Sequence, residues 1–205
     1  MVQQSSRSRL PIFAIFSVAI VFFLYLTTSP RTASPSARID NEMSPAASDP
    51  IVSALKVSVS QASQDPPKLT IGVTNTNPEQ PVTVFIWDSP LDSIAVQLGL
   101  VSFTPEGQTE PVDIPTIQVR RLMPPKEDAF VTIEPGATEE REVLLREPVV
   151  PLDKLKGKGE VTVVVKGEWR GVWAGKKGDI SLQTLRNGDD SLKGGFESEP
   201  AVMEF

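Results

Sequence analysis

The alternation of apolar and polar residues between positions 55 and 74 constrains this chain more than any other feature of its sequence. Leu55, Val57 and Val59 are interleaved with Lys56, Ser58 and Ser60, and Leu69, Ile71 and Val73 are flanked by Lys68, Thr70 and Thr74. A period of two puts every second side chain on the same side of an extended backbone, so each stretch predicts a strand with one buried and one wet face. Residues 82–87, VTVFIW, are apolar on both sides and predict a central strand. Further strands are expected at 100–103, 116–121, 130–133, 142–146, 160–166 and 201–205. Turn chemistry separates them: Asn75 to Pro78, Pro105 to Gly107, Pro124 with Pro125, Pro135 with Gly136, and Asn187 with Gly188. Prolines outnumber glycines, 19 to 13, as suits a chain of many turns and strand edges. No long helical stripe competes; residues 92–98 suit a single helical turn. Many short strands with turns at this spacing predict an all-β sandwich over 51–205.

A second constraint lies ahead of the sandwich. Residues 10–28, LPIFAIFSVAIVFFLYLTT, carry no charge. At 1.5 Å per residue they make a helix of roughly 28 Å, close to the ~30 Å apolar thickness of a bilayer. Arg7 and Arg9 precede the stretch and Tyr25 lies near its far end, where an amphipathic ring can sit at the interface. A cleaved secretory signal has an apolar region of only about 7–15 residues, and the cleavage positions are poor. Ala33 would put Arg31 third from the cut, Ala37 would put Pro35 there, and a cut after Ser29 meets Pro30. The expected plan is therefore a tail at 1–9, a transmembrane signal-anchor helix at 10–28, a linker at 29–50 and the sandwich at 51–205. The linker holds five serines, four prolines and four alanines without apolar periodicity, the composition of an extended spacer. Asp40 and Glu42 dilute Arg31 and Arg38, so the balance of positive charge favours a cytoplasmic N-terminus and a lumenal or extracellular domain. The alternative is secretion after signal cleavage. Asn41, Asn75, Asn77 and Asn187 all lack the third residue of a glycosylation sequon.

Two absences narrow the chemistry. Without cysteine there is no disulfide, thiol nucleophile or thiolate metal site. Without histidine, serine–histidine triads, zinc-hydrolase helices and imidazole pH switches are excluded. A net charge of -6 and a pI near 4.8 remove the usual electrostatic driver for nucleic-acid binding. No metal, cofactor or catalytic residue is expected.

The order of motifs from Trp87 onward is familiar. A strand ending in Trp87 runs into Asp88, Ser89, Pro90, Leu91 and Asp92, then Leu98, Gly99 and Leu100 lead to Pro105, Glu106 and Gly107. Ile133, Glu134, Pro135 and Gly136 follow, ahead of a strand with Val143, Leu144 and Leu145. This order resembles the N-terminal, propeptide-type β-sandwich domain of deuterolysin-like fungal metalloendopeptidases, and fungal secreted or anchored proteins that carry that domain alone. The resemblance covers roughly 55–166 and implies an immunoglobulin-like antiparallel β-sandwich. It does not imply activity, because those peptidases hold zinc on a His-Glu-x-x-His helix and this chain has no histidine. What it implies beyond the fold is a folding-assistant or inhibitory history.

Few residues stand out as candidate sites. Trp169, Arg170 and Trp173 lie in GEWRGVWAGKKGD, with Lys176 and Lys177 beside them. Continued alternation would put Val161, Val163, Val165, Trp169 and Trp173 on one face, the tryptophans closing the core. The competing reading is an exposed aromatic and cationic loop for a protein, glycan or lipid headgroup. Asp88 and Asp92 are expected to cap a turn, although two carboxylates also suit an acid–base pair or a cation. The run from Asn187 to Asp190 lacks the ligand spacing of a calcium loop and predicts a hairpin turn. Lys154, Lys156 and Lys158 read as a solvated loop, and Glu139, Glu140 and Glu142 as the wet side of a strand. The functional expectation is a non-enzymatic binding module held at a membrane through residues 10–28, with an unidentified protein or glycan partner. A structural, chaperone-like or inhibitor-like role is the alternative, and a carboxylate-only hydrolase is third.

Overall fold

A computed structural model describes residues 49–205. The expected anchor at 10–28 and nearly all of the linker lie outside the described residues, and among those described no helix is long and apolar enough to cross a membrane. The described residues form nine strands: β1 (Leu55–Gln64), β2 (Pro67–Asn75), β3 (Val82–Phe85), β4 (Val101–Pro105), β5 (Phe130–Ile133), β6 (Thr138–Leu144), β7 (Glu160–Ala174), β8 (Leu192–Glu197) and β9 (Ala201–Glu204). Three short α-helices accompany them among the described residues: α1 (Pro50–Ser53) ahead of β1, α2 (Leu152–Leu155) and α3 (Leu182–Asn187).

The strands form two antiparallel sheets, β1-β2-β6 and a six-stranded sheet organised around β7. The alternation read from β1 and β2 holds in space. Leu55, Val57, Val59, Leu69, Ile71 and Val73 all turn inward, and Val143 joins them from β6. Val82, Val84, Phe103, Val161, Val163, Val165, Trp169, Phe196 and Met203 meet them from the opposite sheet. Each such side chain contributes about 1.5–3 kcal/mol on burial. Asn75, fully enclosed at the end of β2, donates through Nδ2 to Gln80 O (2.8 Å) and Ile133 O (3.1 Å), tying the two sheets together at one corner.

β7 is the spine of the larger sheet. On one edge it pairs successively with β9 (Glu160 to Val163) and β8 (Lys166 to Val172). On the other edge β4 pairs with Val161 to Val165 and β3 with Val172 to Ala174. No strand pairs with Gly167 to Gly171 on that second edge, and the irregular segment 86–100 spans the gap. β3 is central, flanked by β5 and β7, as its two-sided apolar pattern requires.

Four expectations need correction. Residues 116–121 are extended but form no strand. Pro111 and Pro115 before this stretch and Pro124 and Pro125 after it remove donors on either side, and no strand pairs with it, leaving isolated bonds such as Val112 N–H to Phe103 O and Ile117 N–H to Gln97 O. β6 begins at Thr138 rather than 142, and its charged residues are tolerated because it is an edge strand paired only with β2. Within it Glu140 and Glu142 face outward as expected, whereas Glu139 shares the side of Arg141 and Val143 and stays wet near the strand end. Asn187 and Gly188 end α3 instead of making a hairpin turn. Gly188 has φ +76°, and its N–H closes the helix on Thr184 O and Leu185 O.

The fourth correction concerns β7 itself, which continues to Ala174 rather than stopping near Lys166. Trp169 lies opposite Gly194 and Val172 opposite Leu192, so β7 carries an extra residue between these pairs. This bulge reverses the facing of everything beyond it. Val172 enters the main core, and Trp173 points to the outer face instead of sharing the face of Trp169.

Candidate binding cleft

The bulge creates two aromatic groups on opposite sides of one strand. On the inner side Trp169, 2% exposed, stacks obliquely on Phe196 with ring centres 4.9 Å apart. On the outer side Trp173, 4% exposed, meets Phe130 edge-on at 5.8 Å, and Phe130 stacks on Phe85 at 5.1 Å. Trp87 extends the row from Phe85, also at 5.1 Å. α3 roofs this outer cluster with Leu185. Its N-terminus is capped by Ser181, whose Oγ accepts from Thr184 N–H. Trp173 Nε1 donates to Asp189 O at 2.7 Å, fastening the ring to the backbone just past α3.

After β3 the chain turns sharply, and its two acids do the turning. Asp92, almost fully buried, accepts from Asp88 N–H (2.8 Å) and Ile94 N–H (3.2 Å). Ser89 Oγ donates to Ile86 O and accepts from Leu91 N–H. The expected turn-capping role of Asp92 is therefore what the geometry shows. Asp88 has φ +55°, a left-handed conformation that aspartate tolerates better than most residues. Both carboxylates are also paired: Asp92 with Arg121 at 2.5 Å, and Asp88 with Arg170 at 2.6 Å. The Arg121 guanidinium lies over the Trp87 ring, 5.3 Å from its centre.

These elements enclose a cleft of about 900 Å³ beside the unpaired edge of β7. Phe85, Trp87, Trp169 and Trp173 supply aromatic wall, and Leu100, Val119 and Met123 supply apolar rim. Five cations line it, Arg120, Arg121, Arg170, Arg186 and Lys193, against the two carboxylates of Asp88 and Glu168. Arg186 Nε donates to Pro125 O, joining α3 to the far lip. Lys193 Nζ donates to Arg170 O across the bulge. The lip at 117–123 is unusually apolar for an exposed segment, with Leu122 90% and Met123 70% exposed.

Of the three residues singled out in the sequence, all line this cleft, but in different ways. Arg170 is exposed, whereas both tryptophans are buried, as the core reading expected, though in two clusters instead of one. An exposed loop bearing both rings does not exist. The residues that complete the cleft were missed: Trp87, Arg120, Arg121, Arg186 and Lys193. The run Arg120, Arg121, Leu122, Met123 ahead of two prolines was the available signal, obscured because the preceding residues read as a strand. Asn187, Asp189 and Asp190 show no metal-ligand grouping, and among the described residues no set of three or more acids is placed to hold an ion. Lys154, Lys156 and Lys158 are exposed around α2, as a solvated loop should be.

Two facing antiparallel sheets, the larger built on a bulged spine strand, with a mixed aromatic and cationic cleft beside the unpaired edge of that strand, define a β-sandwich domain with a surface recess. The chain belongs to the immunoglobulin-like domain family, which it matches over residues 54–205. It is also similar to an uncharacterized secreted protein of Arthroderma benhamiae, 31% identical over 134 residues, or 65% of this chain and 66% of that protein. The match spans just under two thirds of the relative's own length.

Proposed function

We propose that the domain is a non-catalytic binding module working on the exported side of a membrane, with its ligand seated in the cleft beside the β7 bulge. One observation carries the reading: aromatic, apolar and cationic side chains from six separate segments converge on a recess of about 900 Å³. Ligand recesses typically measure some 300–1,000 Å³ and combine apolar walls with a few placed polar groups. Tryptophan and arginine, the residue types that dominate binding hot spots, are concentrated in it. The chemistry of the acids supports the non-catalytic part. Asp88 and Asp92 are each held by an arginine, and Asp92 is further committed to two backbone N–H groups. A general acid or base must be free to exchange its proton with substrate.

The secreted relative supports export. Tethering through residues 10–28 is a separate part of the proposal with its own test. N-terminal sequencing of the mature protein should find the apolar stretch retained; a chain released into the medium and trimmed near residue 30 sinks the tether and leaves the exported module. The seat itself is tested by placing a photo-crosslinking residue at Val119 on the lip, with Glu142 on the opposite sheet as control. Partner adducts are expected from position 119 alone. Equal labelling from both positions would show that the cleft is not the seat.

A second reading of the same recess is a chaperone-like or inhibitor-like clamp on an exported partner. Trp87 and Asp88, which open the run to Asp92 that resembles peptidase propeptide domains, line the cleft, and that favours it.

A further inference from the structure

Granting that the cleft is a ligand seat, we propose that its ligand is an extended peptide segment alternating acidic and apolar side chains, presented by a partner protein. Three independent observations converge on this class. First, charge: of five cations lining the cleft, Arg121 and Arg170 are neutralised by Asp92 and Asp88, which leaves Arg120, Arg186 and Lys193 against Glu168, in a chain whose net charge is -6. Among these cations Arg120 has no hydrogen-bond or ion-pair partner among the described residues, so its fork is available to a carboxylate. Second, donors without acceptors: Trp169 Nε1 and Arg121 Nε are both enclosed, both belong to side chains lining the cleft, and neither has a partner among the described residues. An enclosed N–H without an acceptor is costly, and a ligand carboxylate or main-chain carbonyl relieves it. Third, shape: the recess runs beside Gly167 to Gly171, the part of β7 that no strand covers on that edge, under a lip bearing exposed Leu122 and Met123.

The aromatic geometry argues against a sugar as the occupant. Glycan seats offer a flat exposed ring for stacking, and here Trp169 and Trp173 are buried while Arg121 covers Trp87. Methionine, tryptophan and arginine together are instead the composition of protein–protein contact centres.

The test uses the full-length chain and three fluorescent probes read by anisotropy: a decapeptide alternating Glu and Leu, its Lys and Leu counterpart, and a sulfated heparin-type oligosaccharide. Saturable binding of the Glu–Leu peptide is expected, with the Lys–Leu peptide at least about tenfold weaker. The Arg120→Ala/Arg170→Ala double variant should weaken the Glu–Leu peptide by at least about tenfold, since each arginine can make a charge-assisted bond. Replacing Trp169 by 3-benzothienylalanine keeps the bicyclic ring packing and exchanges only the N–H for sulfur. It should weaken binding several-fold while leaving the thermal unfolding midpoint nearly unchanged. Equal binding of both peptides, or binding untouched by the double variant, overturns the proposal. Binding of the oligosaccharide alone, lost in the double variant, also overturns it but preserves the cleft as a seat. If no probe binds and crosslinking at Val119 is also silent, both readings fall.

Discussion

Trp169 and Trp173 stand four residues apart on one strand and live in different worlds. Trp169 belongs to the large inter-sheet core, surrounded by Phe196 and the valines of β7, yet its N–H has no partner among the described residues. Trp173 sits in a small outer cluster under α3, and its N–H is satisfied by Asp189 O. The inner ring is held by packing alone; the outer ring is held by a few rings, one six-residue helix and one hydrogen bond. A single extra residue in the strand produces this division, because a shift of one position sends every later side chain to the other face.

Trp169→Ala should destabilise the domain by about 4 kcal/mol, and Trp173→Ala by about 3 kcal/mol, within the usual range for large-to-small changes of buried tryptophan. The smaller cluster has more room to collapse. Urea unfolding midpoints check this, and a larger loss from Trp173→Ala would break the ranking. The next effect lies in the turn that joins the two clusters. Asp92→Asn removes the buried partner of Arg121 and should cost about 2–3 kcal/mol. Asp88→Asn, at the more exposed pair with Arg170, should cost under about 1 kcal/mol. Similar losses at both positions would mean that burial does not separate these pairs.

Gly171 sharpens the contrast at the bulge. An added Cβ would lie 2.5 Å from the Trp173 ring, so Gly171→Ala should displace that ring at a cost of about 1–2 kcal/mol. Methyl and ring NMR signals should move around Phe130 and Leu185 and stay in place around Phe196; movement on both sides would show the clusters to be one unit. The smallest effect is at Lys176, whose pKa is raised above its ordinary 10.5 by hydrogen bonding and charge attraction from Glu134, 2.7 Å away. The folded state favours the protonated amine. That contribution is complete below about pH 10.5 and fades as pH rises through the folded value. Glu134→Gln should return the Lys176 Nζ titration toward 10.5 in an NMR series. With this pair at the surface, stability at neutral pH should barely change.

Much of the sandwich was legible because its signals are local. In β1, β2 and the first half of β7, alternation is a property of consecutive residues, and burial followed it residue by residue. β8 was not legible. Leu192–Glu197 carries two glycines, poor strand formers, and Gly194 is needed because a Cβ there would lie 2.8 Å from Val52 of α1, a neighbour far away in sequence. The strand expected at 116–121 failed for the converse reason: its residues suit a strand, but the segment beside it at Gln97 is irregular and no strand completes a ladder.

The cleft was legible only in fragments. Trp169, Arg170 and Trp173 could be picked out by composition, but not their separation to opposite faces, since a bulge depends on what the neighbouring strand offers. Arg121 and Asp92 are 29 residues apart, and nothing in either stretch announces the pair. What the sequence determined by itself was the all-β class, the exclusion of histidine and cysteine chemistry, and the turn chemistry of Asp92, because each is a matter of residue type and short-range spacing. The tertiary structure decided which face each tryptophan takes, where the arginines gather and that a recess exists at all. Those outcomes depend on distances between segments that only packing brings together.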